Sequence, residues 1–222
     1  MFSDQVIGFY KSLSLHHKLP DGVEVLNPYR DANTFLVCQQ FYQKFYHDHK
    51  PRTIILGINP GRFGGGITGV PFTDPVKLEQ HCGIPNNLIK KTELSADFIY
   101  RMIEAFGGAA KFYNEYFISA VCPLGFTKDG KNLNYYDQPD LQQGVYNFII
   151  DSLKTQLQFS VNIHTCYCLG EGQNYKFISK LNAEYSFFKK IIPLPHPRFI
   201  MQYRRKRVDE FVNLYLENFR EP

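Results

Sequence analysis

Two segments of this chain carry residues whose types and setting suit chemistry. One is Gly57-Ile-Asn-Pro-Gly-Arg-Phe-Gly-Gly-Gly-Ile-Thr-Gly-Val-Pro-Phe72, which directly follows the apolar run Thr53-Ile-Ile-Leu56. That run reads as a buried strand, so Asn59 emerges where the strand ends. The glycines and prolines behind it force an irregular loop whose backbone can lie close to a ligand. A polar amide in such a loop can hold a water or a leaving group. Asparagine cannot take up a proton at neutral pH, so Asn59 would orient a reactant and not act as a base. The other segment is Pro195-His196-Pro-Arg198, where a proline on each side holds a histidine at a strand end. Such a histidine is either satisfied structurally or turned towards a ligand, and the Asn59 loop favours the second reading. Asp74, just beyond Phe72, reads as a turn or helix cap in preference to a base.

These residues need elements to position them. Apolar segments at residues 53–58, 116–121, 163–169 and 187–194 read as strands, and none alternates cleanly with polar residues. That is the pattern of strands covered by helices on both faces. Between them lie amphipathic stretches. Asp31 can cap a helix bearing Phe35, Cys38, Phe41, Tyr42 and Phe45. Ser95 can cap another, with Ile99, Met102, Ile103 and Phe106 apolar and Gly107-Gly108 ending it. Pro139 suits the first turn of a helix carrying Leu141, Val145, Phe148, Ile149 and Leu153. A last helix presents Val208, Phe211, Val212, Tyr215, Leu216 and Phe219. Strands alternating with helices predict an α/β fold, a three-layer α/β/α sandwich around a central, mainly parallel four-stranded sheet. No repeat or linker interrupts residues 1–222, which read as one domain. Such sheets bind ligands outside the carboxyl ends of their strands. All four strands end in an unusual loop: Asn59-Pro-Gly61, Cys122-Pro-Leu-Gly125, Gly170-Glu-Gly172 and Pro195-His196-Pro-Arg198. One cleft built from these loops is the natural site.

Composition narrows the classes further. The 222 residues are 44% hydrophobic, with 20 Phe, 15 Tyr and no Trp, which excludes a mostly disordered chain. The net charge of +4, from 25 basic and 21 acidic residues, is too mild to identify a nucleic-acid binder alone. No apolar run approaches the ~20 residues of a membrane span. The first residues lack the basic start and apolar core of a signal peptide, so a cytoplasmic location (bacterial cytoplasm or nucleoid) is expected. Cys38, Cys82, Cys122, Cys166 and Cys168 show no C-x-x-C spacing and read as buried structural thiols. His47 and His49 read as solvated residues. No metal or cofactor is implied.

The segment from Gly57 to Phe72, including its second half Thr68-Gly-Val-Pro-Phe72, resembles the first motif of the single-strand-selective (SMUG-type) uracil-DNA glycosylases. Pro195-His196-Pro-Arg198 is similar to the family's His-Pro-containing second motif, with the family's His-Pro-Ser-Pro-Arg contracted to His196-Pro197-Arg198. Phe117-Ile-Ser-Ala-Val-Cys-Pro-Leu124 and Gly130-Lys-Asn-Leu133 form a third match, in the family's order along the chain. The intervening helices carry little similarity, so the chain resembles a divergent branch. The resemblance implies a DNA repair hydrolase of the base excision type. It would cleave the N-glycosidic bond of uracil and related 5-substituted or deaminated bases, such as 5-hydroxymethyluracil or xanthine, and leave an abasic site. Its partner would be single- or double-stranded DNA, and a monomer suits the task.

Roles carry over by position. Asn59 would orient the attacking water and His196 would donate to the uracil carbonyl as charge builds there, through a dissociative path. Phe72 would stack on the flipped base, a contact worth roughly 1–3 kcal/mol. Gly57, Ile58 and Pro60 would line the pocket with Gly61. The smallness of Gly61 serves either a tight turn or room at the base's C5 edge. The family's base-reading asparagine falls at Ala120, which has no polar group, so Ser119 or backbone groups would take that task or discrimination weakens. Arg62, Arg198, Tyr203, Arg204, Arg205, Lys206 and Arg207 would meet DNA. In Arg198-Phe-Ile-Met-Gln-Tyr-Arg-Arg-Lys-Arg207 an apolar wedge precedes four basic residues that either grip phosphates or cover a solvated helix face. Two other classes compete: a damage-sensing module that kept the fold and lost catalysis, and a nucleotide-binding phosphate-ester enzyme. The second lacks the Walker lysine pattern and a carboxylate-rich metal site.

Overall fold

Strand-forming runs in this chain are short, those at residues 52–57 and 116–120 are nearly all buried, and the computed structural model, which describes residues 1–220, shows what covers them. The strands are β1 (Val23–Leu26), β2 (Arg52–Gly57), β3 (Tyr116–Ala120), β4 (Gly125–Lys128), β5 (Lys131–Leu133), β6 (Val161–Leu169) and β7 (Lys190–Leu194). The helices are α1 (Phe2–Ser12), α2 (Ala32–Phe45), α3 (Gly65–Thr68), α4 (Pro75–Gln80), α5 (Leu94–Phe106) and α6 (Ala109–Glu115). They continue with α7 (Pro139–Gly144), α8 (Tyr146–Gln156), α9 (Gln173–Tyr185), α10 (Pro197–Tyr203) and α11 (Val208–Arg220).

A four-stranded parallel sheet, ordered β3-β2-β6-β7, forms the middle layer. Alternation along β3 sends its side chains to two helix layers. The Phe117 ring meets Phe2 of α1 at 5.2 Å, and the Ser119 hydroxyl reaches Gln156 of α8. Tyr116 instead faces Phe219 of α11 at 4.8 Å and Phe112 of α6 at 5.2 Å. The buried apolar side chains form one continuous cluster through both layers. Among the described residues no helix is long and apolar enough to cross a membrane.

Several sequence expectations change in detail. The fourth strand begins at Lys190, because Asn182 captures the preceding backbone: Phe188 N–H donates to its Oδ1 at 2.7 Å, and its Nδ2 donates to the Phe188 carbonyl at 2.9 Å. Ser95 does not cap α5; the helix opens one residue earlier, at Leu94, and Ser95 is buried in its first turn. Pro139 does start a helix, but that helix breaks after Gly144 into α7 and α8. Asp31 caps α2 as its position predicts, accepting from Thr34 N–H at 2.8 Å. The sequence reading missed a second, antiparallel sheet ordered β1-β4-β5. Its hairpin turns on Asp129-Gly130, both at positive φ (50° and 67°), an Asp-Gly signal typical of two-residue turns. All five cysteines are buried and unpaired.

Arg52 anchors the opening of β2, the strand whose far end carries Asn59. Its guanidinium is buried, bridges both Asp48 oxygens at 2.7 and 3.0 Å, and donates to the Tyr113 carbonyl at 2.9 Å. The Phe2 and Tyr46 rings lie 4.9 and 4.7 Å from it. Removing this buried guanidinium is costly because the Tyr113, Lys50 and Phe45 carbonyls lose their donor and a large fully buried side chain is deleted, whereas the half-buried Asp48 would regain water. Arg52→Ala should therefore lower unfolding stability by about 3 kcal/mol or more. Urea unfolding checks this, and a loss under about 1 kcal/mol would reduce the cluster to a surface ion pair.

Candidate active site

Beyond β2 the chain Ile58-Asn59-Pro60 is gripped from two sides. Val121 and Cys122, just past β3, donate backbone N–H groups to the Gly57 and Ile58 carbonyls, both at 3.0 Å. From α9 the buried Asn174 donates Nδ2 to the Leu169 carbonyl at 3.1 Å and to that of Gly57 at 3.4 Å. Its Oδ1 accepts from the Tyr135 hydroxyl at 2.8 Å. Tyr135 N–H in turn donates to Asn59 Oδ1 at 3.0 Å, while Asn59 Nδ2 donates to the Leu133 carbonyl at 3.1 Å. A backbone donor on one side and a backbone acceptor on the other settle which end of the Asn59 amide is oxygen. The second Nδ2 hydrogen is directed at the Pro60 carbonyl, 3.4 Å away. One Oδ1 lone pair remains, enough to accept a hydrogen bond from a water.

Phe72 is held by local sequence chemistry. The Thr68 hydroxyl donates to the Thr73 carbonyl at 2.6 Å and accepts from Val70 N–H at 3.1 Å, closing the turn that follows α3. Phe72 itself has φ of 52°, a left-handed conformation that costs a non-glycine residue of order 1 kcal/mol and tends to mark functional positions. Its ring lies so close to the β2 terminus that a Cβ on Gly57 would fall 2.7 Å from Cε2. Glycine at 57 is thus the condition for the ring's seat.

His196 caps α10, its Nδ1 accepting from Arg198 N–H at 3.1 Å. Burial pulls the imidazole pKa down to about 4, and the Arg198 guanidinium adds to the shift. The ring is neutral at pH 7, and with Nδ1 accepting, its proton must sit on Nε2. The structure therefore offers a neutral Nε2–H donor on a ring whose centroid lies 5.8 Å from that of Phe72. The Tyr215 hydroxyl, donating to the Pro195 carbonyl, pins the backbone just before it.

A small inner pocket of about 30 Å³ is walled by the segment from Gly57 to Gly61 together with Phe72, Glu93, Ser119 and Ala120. Beside it lies an outer cleft of about 470 Å³, lined by Arg62, Phe63, Glu93, Lys131, Asn132 and Arg198 among others. Glu93 belongs to both walls.

Comparison with known proteins matches this arrangement: the model of the uracil DNA glycosylase superfamily covers residues 43–220. The chain belongs to the uracil DNA glycosylase superfamily. Its structure is similar to the crystal structure of Pedobacter heparinus SMUG2, with a TM-score of 0.96 and 46% identity over 98% of this chain and 96% of that one. That likeness puts the chain in the SMUG-like branch of the superfamily. No curated protein matches the sequence.

Of the superfamily-type site residues read from sequence, Gly57, Ile58, Asn59, Pro60, Gly61, Phe72, Ser119 and Ala120 all meet at the inner pocket. His196 stands beside Phe72, outside that lining. Ser119 needs a correction. Its hydroxyl donates to Gln156 of α8, so its proton is already committed there. Gly61 changes meaning too: a Cβ there would lie 3.1 Å from Glu93 Oε1, so the adjoining space holds a carboxyl group. Arg62 and Arg198 flank the outer cleft. Tyr203, Arg204, Arg205, Lys206 and Arg207 are exposed on a separate shallow surface of α10 and the turn after it. Arg207 is engaged there by Glu210, with Nη2 at 2.6 Å from Oε2. Ile200, in the middle of the expected wedge, is buried, and Phe199 and Tyr203 are its exposed aromatics. Glu93, Tyr135 and Asn174 escaped sequence reasoning. Tyr135 lies two residues beyond the Gly130-Lys-Asn-Leu133 match, whereas nothing in local sequence marks Glu93.

The His196 environment has a consequence for stability. Between pH 6.5 and about 4 the unfolded chain's imidazole takes up a proton that the folded one refuses. The folded state therefore loses stability through this residue as pH falls across that window. Thermal unfolding of wild type and His196→Ala against pH should show the wild type losing more on acidification from 7 to about 4.5. Parallel curves would mean that the imidazole is not held neutral.

Proposed function

We propose that this protein is a DNA glycosylase that hydrolyses the N-glycosidic bond of uracil and related deaminated or 5-substituted bases in DNA, leaving an abasic site. The observation that carries the reading is a neutral, Nε2-protonated His196 combined with an Asn59 that keeps one acceptor site, both next to the Phe72 pocket. Superfamily membership supports it.

A base turned out of the helix enters against Phe72. As the bond between C1′ and the base nitrogen lengthens, its electron pair moves onto the base and the sugar becomes cationic. His196 Nε2–H donates to a base oxygen, and that bond strengthens as negative charge builds, so the transition state gains more than the ground state. A water whose proton points at Asn59 Oδ1 presents its own lone pair to C1′. Its oxygen forms the new bond, its proton passes to solvent, and the released base anion is protonated. Because Asn59 cannot take the proton, bond breaking runs ahead of water attack. Arg62, Lys131 and Arg198 supply positive charge along the outer cleft, and Arg204, Arg205 and Lys206 extend it over α10.

His196→Ala and Asn59→Ala should each slow single-turnover uracil release by about 10²-fold or more while DNA binding stays near wild type. Incision assays on single- and double-stranded uracil oligonucleotides decide this, and wild-type rates in both variants would reject the assignment. Replacing Arg204, Arg205 and Lys206 together with neutral residues should weaken binding to all sequences alike. Each lost phosphate contact lowers the log–log salt slope by roughly 0.7–0.9. An unchanged slope would assign this run to a solvated face.

A further inference from the structure

Three residues lining the inner pocket have polar side chains: Asn59, Ser119 and Glu93. The Asn59 amide is engaged on Leu133 and Tyr135, and the Ser119 hydroxyl on Gln156. Ala120 brings only a methyl group. Apart from one Asn59 lone pair, the Glu93 carboxyl is the side-chain hydrogen-bonding group left for a ligand, and among the described residues its oxygens have no hydrogen-bonded protein partner. The backbone is shaped around it. Besides the approach to Gly61, a Cβ at Gly64 would lie 2.7 Å from Glu93 Cδ, so two glycines of the loop admit this carboxyl.

Its surroundings oppose ionisation. Asp74, the cap of α4, receives Val76 and Lys77 N–H on Oδ1 and takes Glu93 N–H on Oδ2 at 3.0 Å, fixing a like charge next to it. Asp97 of α5 adds another, itself paired with Lys77 at 2.9 Å. Arg198 at the start of α10 acts the other way, and Arg62 and Lys131 lie across the outer cleft. Burial is the largest influence and Asp74 the next, and together they push the carboxyl up to about 7.

We propose that Glu93 meets the extruded base as a neutral carboxylic acid, donating its O–H to an oxo oxygen on the base edge and keeping its proton throughout. This rests on the glycosylase reading above and names the substrate feature that the site selects. Deamination replaces an amino donor by an oxo acceptor, which is the group that a carboxylic O–H can recognise. An ionised carboxylate at the same place would face the departing base anion across a pocket with little water, and like charges there oppose bond breaking. The protonated form is the working state, and its fraction falls as pH rises through the carboxyl's titration.

Single-turnover excision from a uracil oligonucleotide, followed against pH, tests this. The wild-type rate should fall about thirtyfold between about pH 6 and 8.5, following the protonated fraction of a carboxyl that titrates near 7. Glu93→Gln keeps a donor without a titration; it should be about threefold slower at the acid end, lack the fall, and overtake wild type at the alkaline end. Coincident pH profiles for the two proteins would overturn the role while leaving the glycosylase reading intact. Carbon-13 NMR of the wild-type glutamate carboxyls gives a check independent of any variant: one should titrate near 7. Titration of every glutamate in the ordinary carboxylate range overturns the proposal as well. Absence of excision by wild type at every pH would overturn the glycosylase reading itself, and this role with it.

Discussion

The two-bond pairing between the Asn59 amide and the backbone of Leu133 and Tyr135 is the interaction on which the site depends. β2 belongs to the parallel sheet and β5 to the antiparallel one, and no backbone ladder joins the two. The Asn59 side chain bridges them, and Tyr135 carries the link on to Asn174 and hence to the end of β6. Each such bond is worth only about 1 kcal/mol net, but an unpaired buried partner costs more than the bond contributes. The network therefore holds one arrangement of strand ends sharply. On the proposed function Asn59 would act on the reactants, and it is also the brace that positions the loop bearing it.

Arg198 favours deprotonation of both His196 and Glu93, which leaves the imidazole neutral but draws the carboxyl towards its charged form. A neutral imidazole can sit in a partly dry pocket without the penalty of a buried charge, yet still responds to negative charge that appears only in the transition state. Phe72 adds a complementary constraint. Its left-handed backbone is held by the Thr68 turn and by Thr73, whose hydroxyl lies 3.0 Å from that of Tyr100 in the core. Local strain is offset by packing outside the pocket.

α10 shows how a single short helix divides its labour. Pro197 and Ile200 are buried against α5 and α11, while Arg198, Phe199 and Tyr203 are exposed. The residues expected as a continuous wedge are thus split between an anchor and a surface. Arg204 stacks over Phe199 at 5.3 Å, so the exposed aromatic and the basic run form one patch.

Much of this was legible in the chain itself. The apolar runs that became β2, β3, β6 and β7, the Asp31 cap and the glycine-proline loop after β2 follow from local patterns. In a parallel sheet all strands run to the same end, so Asn59 and His196 had to lie at one end of the sheet once the strands were recognised. Tertiary structure alone decided the rest. Whether Ser119 or Ala120 faces the pocket depends on the parity of β3 against β2, and a shift of one residue would exchange them. Asn59 is committed to partners 74 and 76 residues away, a distance that no local pattern reports. Glu93 acquires its raised proton affinity only because Asp74 and the glycines of a remote loop enclose it. Local sequence dictates which elements form and where they end, whereas burial and charge at a point are sums over everything that folds around it.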